Sequence, residues 1–411
     1  MTHTDPATLR RALADRLEHG EVLKTPAWRK AVESVPRELF LTSFFKDEAG
    51  PNGITQYTPI TQATDADERL ALIYQNETWV TQLDGQTTAD TADGPMTGFP
   101  TSSSTMPSTV VGMLESLDVE EGMNVLEIGT GTGYSTGLMC HRLGEDNVTS
   151  VEVDRSVSER ADAALEEAGY STWTVTGDGL LGHPRRAPYD RIIGTCAVRR
   201  IPYTWVRQTK PGGIILATVG PSSWSYGTGL AKLTVKEDGT AEGRIIGRAS
   251  FMPARAEAFT PFSGDLSARA AYAKSERRTH LSPEVLNDWM PAFLAQLAAP
   301  GAQLVRAVSD CRETVYLFDS GREAFAALTA DDDGWIVRQG GPVEIWDAIE
   351  SALDAWRNVG SPGISAVRLE VSAQAHAYWI GGQQITTEAR SYWIGDKPGL
   401  RWRHEHQPLP V

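Results

Sequence analysis

Cysteine is scarce in this chain, and its three copies, Cys140, Cys196 and Cys311, lie far apart. They form neither a metal-binding spacing nor a disulfide framework. Long apolar runs are missing too, and none is long enough to span a bilayer. Residues 1–11 are polar and hold no apolar signal core, so a cytoplasmic protein with no membrane partner is expected. Basic residues are in deficit: 38 Lys and Arg stand against 53 Asp and Glu, a formal net charge of −15. That balance argues against nucleic acid as a partner, which requires a basic footprint. It leaves room for a cationic or neutral peptide, because net charge biases encounter more than it defines fold. No metal is expected. His404-Glu405-His406 has the composition of a metal site, but it falls in a polar C-terminal stretch that reads as a solvated tail. His183, next to Pro184 and two arginines, reads as a surface-loop residue.

The length of 411 residues allows two or three domains. Residues 1–50 carry apolar side chains at helical spacing (Leu9, Leu13, Leu17, then Val22, Ala27, Ala31, Val35) and are expected to be helical. Residues 51–100 are rich in turn-formers, with one short strand expected over 70–80. The Ser/Thr cluster 101–108 reads as the entry to a helix over 108–117, with Ser104 or Thr105 as its cap. From Asn124 strands and helices alternate. Strands are expected at 125–128, 148–153, 172–176, 191–194 and 214–219, and helices at 134–143, 157–168 and 203–209. Apolar strand runs alternating with helices imply a parallel sheet covered on both faces. After about residue 240 the texture changes. Helices are expected at 281–298 and 342–359, and strands at 315–318 and 366–371. Seven of the 12 tryptophans fall there, which points to a second hydrophobic core for most of them. Tyr378-Trp379-Ile380-Gly381 and Tyr392-Trp393-Ile394-Gly395 echo each other, which suggests a local pairing and not a solenoid. The fold class is therefore α/β: a Rossmann-like sheet with helices on both faces, an N-terminal helical segment and a C-terminal α+β extension. The expected division is 1–100, 101–240 and 241–411.

The chemistry concentrates at the ends of the expected strands. Val125-Leu126-Glu127-Ile128 runs into Gly129-Thr130-Gly131-Thr132-Gly133-Tyr134, where a helix begins. The glycines permit positive φ and close approach of main chain to a ligand. The spacing G-x-G-x-G differs from the G-x-G-x-x-G of a dinucleotide site. Glu127, two places before the first glycine, would repel a pyrophosphate and can pair with an ammonium group. That favours a cationic nucleoside such as S-adenosyl-L-methionine. Glu152 ends the second strand, where a carboxylate can accept both ribose hydroxyls. Asp178, within Gly177-Asp178-Gly179, follows the third strand and can accept from an adenine amine, with Gly179 letting the loop lie flat. Thr195 follows the fourth strand at the same rim. Singly, each has an ordinary reading: a solvated strand-end charge, an Asx turn, a tight turn. Their joint order points to one nucleoside cleft.

These segments resemble the protein-L-isoaspartate O-methyltransferase family of class I methyltransferases. The resemblance rests on Val35-Pro36-Arg37-Glu38-Leu39-Phe40, residues 101–106, the glycine turn, Gly177-Asp178-Gly179, Pro188-Tyr189-Asp190-Arg191-Ile192-Ile193 and Lys210-Pro211-Gly212-Gly213. It covers roughly residues 25 to 220. It implies S-adenosyl-L-methionine as cofactor and S-adenosyl-L-homocysteine as product. Gly129, Gly131 and Gly133, flanked by Thr130 and Tyr134, would wrap the methionine part, with Glu152 on the ribose and Asp178 and Gly179 on the adenine. It also implies an acceptor site at Ser102, with Ser103 and Ser104 standing where the family usually has Ala-Pro. The bland reading of these three serines is a capped helix start. Methyl transfer to a carboxylate needs no strong base, because the acceptor is already ionised near neutral pH.

The extension after residue 240 resembles the tails of family variants that act on ribosomally made peptides, such as lanthipeptide or graspetide precursors. The leading expectation is therefore methylation of an aspartate in a dedicated peptide, a cyclised precursor included, leading to aspartimide and isoaspartate. Residues 241–411 would recognise that peptide. The alternatives are a repair enzyme for isoaspartate in damaged proteins, and a binding module that keeps the fold without transfer activity.

Overall fold

Polar periodicity separates two kinds of sheet in this protein. The computed structural model describes residues 5–50, 54–220, 224, 226–258, 265–309, 312–380 and 400–405. The chain divides into two compact units. The first is Met1–Cys196 with Arg207–Leu216, and the second Ala197–Val206 with Ala217–Val411.

In the first unit, Val125–Ile128 pairs in parallel with Val148–Glu152 on one side and Tyr189–Val198 on the other. Trp173–Thr176 continues the sheet beyond Val148–Glu152. Every residue of Val125–Ile128 and Val148–Glu152 is buried, as expected for strands covered on both faces. The chain moves outward from Val125–Ile128 through two strands and then returns to its other side. That strand is the topological switch point, where such sheets bind ligands at their carboxyl ends. The expected strands and the helices Tyr134–Leu143, Arg155–Glu167 and Tyr203–Gln208 all form, within a few residues of their anticipated ends.

The N-terminal part departs from expectation. Helices Pro6–His19, Pro26–Ser34 and Arg37–Phe40 form, but Phe44–Ala49 is a strand. It belongs to a four-stranded sheet in the order Thr55–Ile60, Phe44–Ala49, Trp79–Leu83, Pro100–Ser104. Of the stretch expected as a strand over 70–80, residues 70–73 end the helix Ala66–Ile73 and only 79–80 enter the strand Trp79–Leu83. Asp65 caps that helix, accepting from the backbone N–H groups of Asp67 and Glu68, and those two acids favour the first turn. Residues 101–104 of the Ser/Thr cluster are a strand and do not cap a helix, while its last two, Pro107 and Ser108, open the next one. The next helix, Pro107–Ser116, has no side-chain cap from its N-cap residue Met106. Its free N–H groups are met from afar instead. Met106 N–H donates to Thr78 Oγ1 (3.0 Å) and Ser108 N–H to Asn76 Oδ1 (2.8 Å).

In the second unit, antiparallel strands run in the order Gly229–Val235, Ala241–Arg248, Val367–Val371, Ala375–Ile380, Leu400–Glu405. A second sheet orders Ser275–Thr279, Gly334–Gly340, Ala324–Asp331, Arg312–Asp319 and Gln303–Ser309. The expected helix 281–298 is a 3-10 turn, Pro283–Asn287, followed by the helix Trp289–Ala298. The second helix is Ile345–Asn358. Trp346 is fully buried and its indole N–H donates to Thr279 Oγ1 (2.8 Å), a core role. His404 and Glu405 lie in a paired strand, with His404 opposite His376. His406, Cys311 and the second Tyr-Trp-Ile-Gly copy lie outside the described residues. No helix among the described residues is long and apolar enough to cross a membrane. No group of three or more His, Cys, Asp and Glu among them is arranged to hold a metal ion.

Candidate active site

The glycine turn follows the switch-point strand directly. Gly129, Gly131 and Gly133 take φ of 99°, 55° and 89°, the left-handed region that side-chain-bearing residues avoid. A Cβ on Gly129 would lie 2.8 Å from Thr195 Oγ1. That hydroxyl donates to the carbonyl of Ile128 (3.0 Å) and to that of Gly129, so Thr195 pins the start of the turn. A Cβ on Gly131 would face the Ser103 carbonyl at 3.4 Å, so the serine strand lies against the glycine turn. A Cβ on Gly179 would lie 2.4 Å from Ile128 Cγ2, so the Asp178 loop closes tightly on the same strand end.

Glu152 secures this cradle. Its Oε2 accepts the Gly131 N–H (3.0 Å) and its Oε1 the Asp154 N–H (3.0 Å). Each oxygen retains acceptor capacity for a sugar hydroxyl. Asp178 is exposed, and its Oδ1 accepts from Leu180 N–H (2.9 Å), so it also makes the local turn that its sequence context suggested.

Glu127 has a different place from the one expected. It is fully buried and accepts from Ser135 Oγ (2.5 Å), Thr136 Oγ1 (2.5 Å) and Ser150 Oγ (2.8 Å). Thr130 Oγ1 lies 2.7 Å from Ser150 Oγ and extends the network into the turn. Burial pushes the Glu127 carboxyl above the ordinary range, and the three hydroxyls oppose that shift. Its oxygens therefore hold the turn to the sheet and are not presented to a ligand ammonium. Glu127→Gln places an amide donor among three hydroxyl donors. The expected loss is about 1–3 kcal/mol of stability, read as a lower thermal midpoint, with affinity for S-adenosyl-L-homocysteine by calorimetry much less affected.

The three serines do not act together. Side chains alternate along a strand. Ser102 and Ser104 are buried on one face, and Ser103 is half-buried on the other. Ser102 Oγ accepts from Thr81 Oγ1 (3.0 Å), and Ser104 Oγ lies 3.4 Å from an Arg37 amino group.

Arg37, from the Val-Pro-Arg-Glu-Leu-Phe segment, has a structural role that its motif position alone did not reveal. It is fully buried, and its guanidinium donates to the carbonyls of Ile73 (2.6 Å), Gln75 (3.0 Å), Glu77 (3.4 Å) and Thr105 (3.4 Å). Burial lowers its pKa to about 10. It sits 5.7 Å from the ring centroid of Tyr134, whose hydroxyl burial pushes up to about 12. Glu38 accepts from Arg10 (2.9 Å) and from the Tyr74 hydroxyl, which ties the first helix to the same region. Phe40 packs edge-on to Tyr134 at 6.0 Å. The motif thus fastens the serine strand and the start of the glycine-turn helix to one buried cation. Gln82 and Asp154 also went unnoticed in the sequence. Asp154 was discoverable, because it stands just before a helix, and its Oδ1 accepts from the N–H groups of Ser156 (3.0 Å) and Val157 (3.2 Å).

The parallel sheet with a glycine turn at its switch point and an acid ending the neighbouring strand is that of a class I methyltransferase fold, here with the G-x-G-x-G spacing and not the dinucleotide one. A family model described as protein-L-isoaspartate(D-aspartate) O-methyltransferase matches residues 77–258. A protein-L-isoaspartate O-methyltransferase of Methanosarcina mazei is 41% identical over 138 residues, covering 33% of this chain and 54% of that one. Protein-L-isoaspartate O-methyltransferase 2 of Archaeoglobus fulgidus is 31% identical over 251 residues, covering 60% of this chain and 93% of that protein. A solved structure described as protein-L-isoaspartate O-methyltransferase shares the fold across 88% of this chain and 96% of its own, with a TM-score of 0.52 at 24% identity. The chain belongs to the protein-L-isoaspartate O-methyltransferase family. It spans 54% of the length of the Methanosarcina mazei relative and 66% of one from Thermococcus onnurineus.

Proposed function

We propose that this protein transfers the methyl group of S-adenosyl-L-methionine to the free carboxylate of an L-isoaspartyl residue in a protein or peptide, releasing S-adenosyl-L-homocysteine. One observation carries the reading: the serine strand meets the glycine turn, with the Ser103 carbonyl 3.4 Å from where a Gly131 Cβ would stand. Acceptor-side and donor-side segments thereby lie side by side. The donor's chemistry suits the residues present. The left-handed glycine turn presents main chain beside Glu152, which has acceptor capacity for the ribose. The bound donor supplies an electrophilic methyl group. The chain's own task is to align a carboxylate with it, and alignment alone accounts for a large part of such a barrier. No general base is required, because the acceptor is ionised at neutral pH.

The case for a dedicated aspartyl peptide rested on the extension after residue 240. A solved isoaspartate methyltransferase has the same fold over 88% of this chain, so the extension does not distinguish the two substrates. Isoaspartate is therefore the reading kept, with residues 241–411 assigned to peptide recognition within it. The test uses labelled S-adenosyl-L-methionine with an isoaspartyl peptide, its aspartyl isomer and a cyclic aspartyl peptide. Labelling of the isoaspartyl peptide alone is expected. Labelling confined to an aspartyl peptide would overturn the substrate assignment in favour of peptide maturation. Tight S-adenosyl-L-homocysteine binding with no labelling of any peptide would leave a binding module.

A further inference from the structure

Gln82 is almost fully buried on the strand Trp79–Leu83, between two irregularities in its pairing with Pro100–Ser104. Val80 lies opposite Ser103, Gln82 opposite Ser102, and Leu83 opposite Pro100. Thr81 is thus an extra residue on one strand and Thr101 on the other. Such bulges re-aim side chains and recur beside active sites. Here they leave the Gln82 amide between two groups. Its Oε1 accepts from Thr101 Oγ1 (2.8 Å), and its Nε2 donates to Asp154 Oδ2 (3.1 Å). Burial alone would raise the Asp154 carboxyl, but hydrogen bonds from Ser156 and Gln82 outweigh it and hold the group below its ordinary range. Asp154 N–H in turn donates to Glu152 Oε1, and Glu152 Oε2 holds Gly131. An unbroken chain of hydrogen bonds therefore runs from the serine strand through Gln82, Asp154 and Glu152 to the glycine turn.

We infer that Gln82 is a positioning residue that locks the acceptor strand to the donor loop, so that seating the donor also sets the acceptor side. The inference rests on the methyl-transfer reading. Gln82 touches no substrate; it acts through Thr101 and Asp154. Its amide has the right polarity for the task, a donor toward a carboxylate and an acceptor toward a hydroxyl.

The test exploits that polarity in the full-length protein. Gln82→Glu sets two carboxylates face to face and breaks the link. Adding Asp154→Asn restores a donor–acceptor pair with its direction reversed, and the remaining amide oxygen still caps the helix. The first readout is hydrogen exchange of residues 100–104 with and without S-adenosyl-L-homocysteine. The ligand is expected to protect this strand in the parent, not in Gln82→Glu, and again in the double variant. The second readout is turnover of an isoaspartyl peptide. In Gln82→Glu, kcat falls roughly ten- to a hundredfold, the scale of a small misplacement, while S-adenosyl-L-homocysteine affinity by calorimetry stays near that of the parent. The double variant recovers. Loss through general destabilisation would lower affinity and turnover together and would not be rescued. Should Gln82→Glu fail to fold, Gln82→Met removes both bonds without adding charge and is expected to lose the protection in the same way. Full ligand-induced protection in Gln82→Glu, or a folded, ligand-binding double variant that stays unprotected, overturns the inference. A parent that binds S-adenosyl-L-homocysteine and protects the strand yet methylates no peptide refutes the function while upholding the link. A parent that does not bind it removes both.

Discussion

A Gly131→Val protein will bind S-adenosyl-L-homocysteine about a hundredfold more weakly than its parent, or not measurably, in calorimetry. Two effects are involved. Residue 131 holds φ 55°, in the left-handed region. An L residue there costs about 1–2 kcal/mol, and a β-branched side chain is among the least tolerated. The second effect is space. The new Cβ points at the Ser103 carbonyl, 3.4 Å away, so the valine side chain occupies the face of the turn that meets the serine strand. The side chain in the donor's space is what lowers affinity, and a hundredfold change corresponds to roughly 2.7 kcal/mol. The variant should still fold, because Gly131 is a turn residue outside the sheet. Parent-like affinity in a protein with parent-like circular dichroism would remove the donor from this turn.

The second large effect falls on stability. Arg37→Met is expected to destabilise the first unit by about 3–5 kcal/mol, the scale of leaving several buried acceptors without their donor. Its guanidinium serves the carbonyls of Ile73, Gln75, Glu77 and Thr105, and Ser104 Oγ. Methionine fills similar volume but leaves these acceptors without their donor, and each buried orphan costs about 1–3 kcal/mol. Arg37→Lys should recover only part of the loss, because an ammonium is a point charge without the planar fork. The measurement is hydrogen exchange at residues 73–78 and 100–105, together with the thermal midpoint. Parent-like protection at both segments in Arg37→Met would refute the hub.

The parallel sheet was legible because short apolar runs alternate with helical patterns, even though Glu127, Thr149, Ser150 and Glu152 interrupt its strands. Val125–Ile128, Val148–Glu152 and the helices between them fall close to where the periodicity placed them. The N-terminal sheet was not legible, for a physical reason. Phe44–Ala49 exposes four of its six residues, and Pro100–Ser104 contains no large apolar side chain, so neither shows alternation. The apolar run Leu70-Ala71-Leu72-Ile73 fitted either period. The deciding signal was Asp65 followed by Asp67 and Glu68, a helix start. At the site, Glu152, Asp178 and the glycines lie on local motifs and are found at strand ends as expected. Gln82 and Arg37 act on groups 19 to 72 residues away in sequence, so no local pattern announces them. Glu127 illustrates the opposite error. Its position was right, but burial decides what a carboxylate does, and burial is a property of the assembled sheet.

The paired irregularities at Thr81 and Thr101 restrict how this region can change length. Deleting either threonine alone slides one strand past the other by a single step, and a one-step slip exchanges inward for outward side chains along the rest of the ladder. Excising both together keeps the alignment. Natural variation here should therefore come as coupled indels in the two strands, and a lone one-residue gap would mark a lineage in which the serines have traded faces.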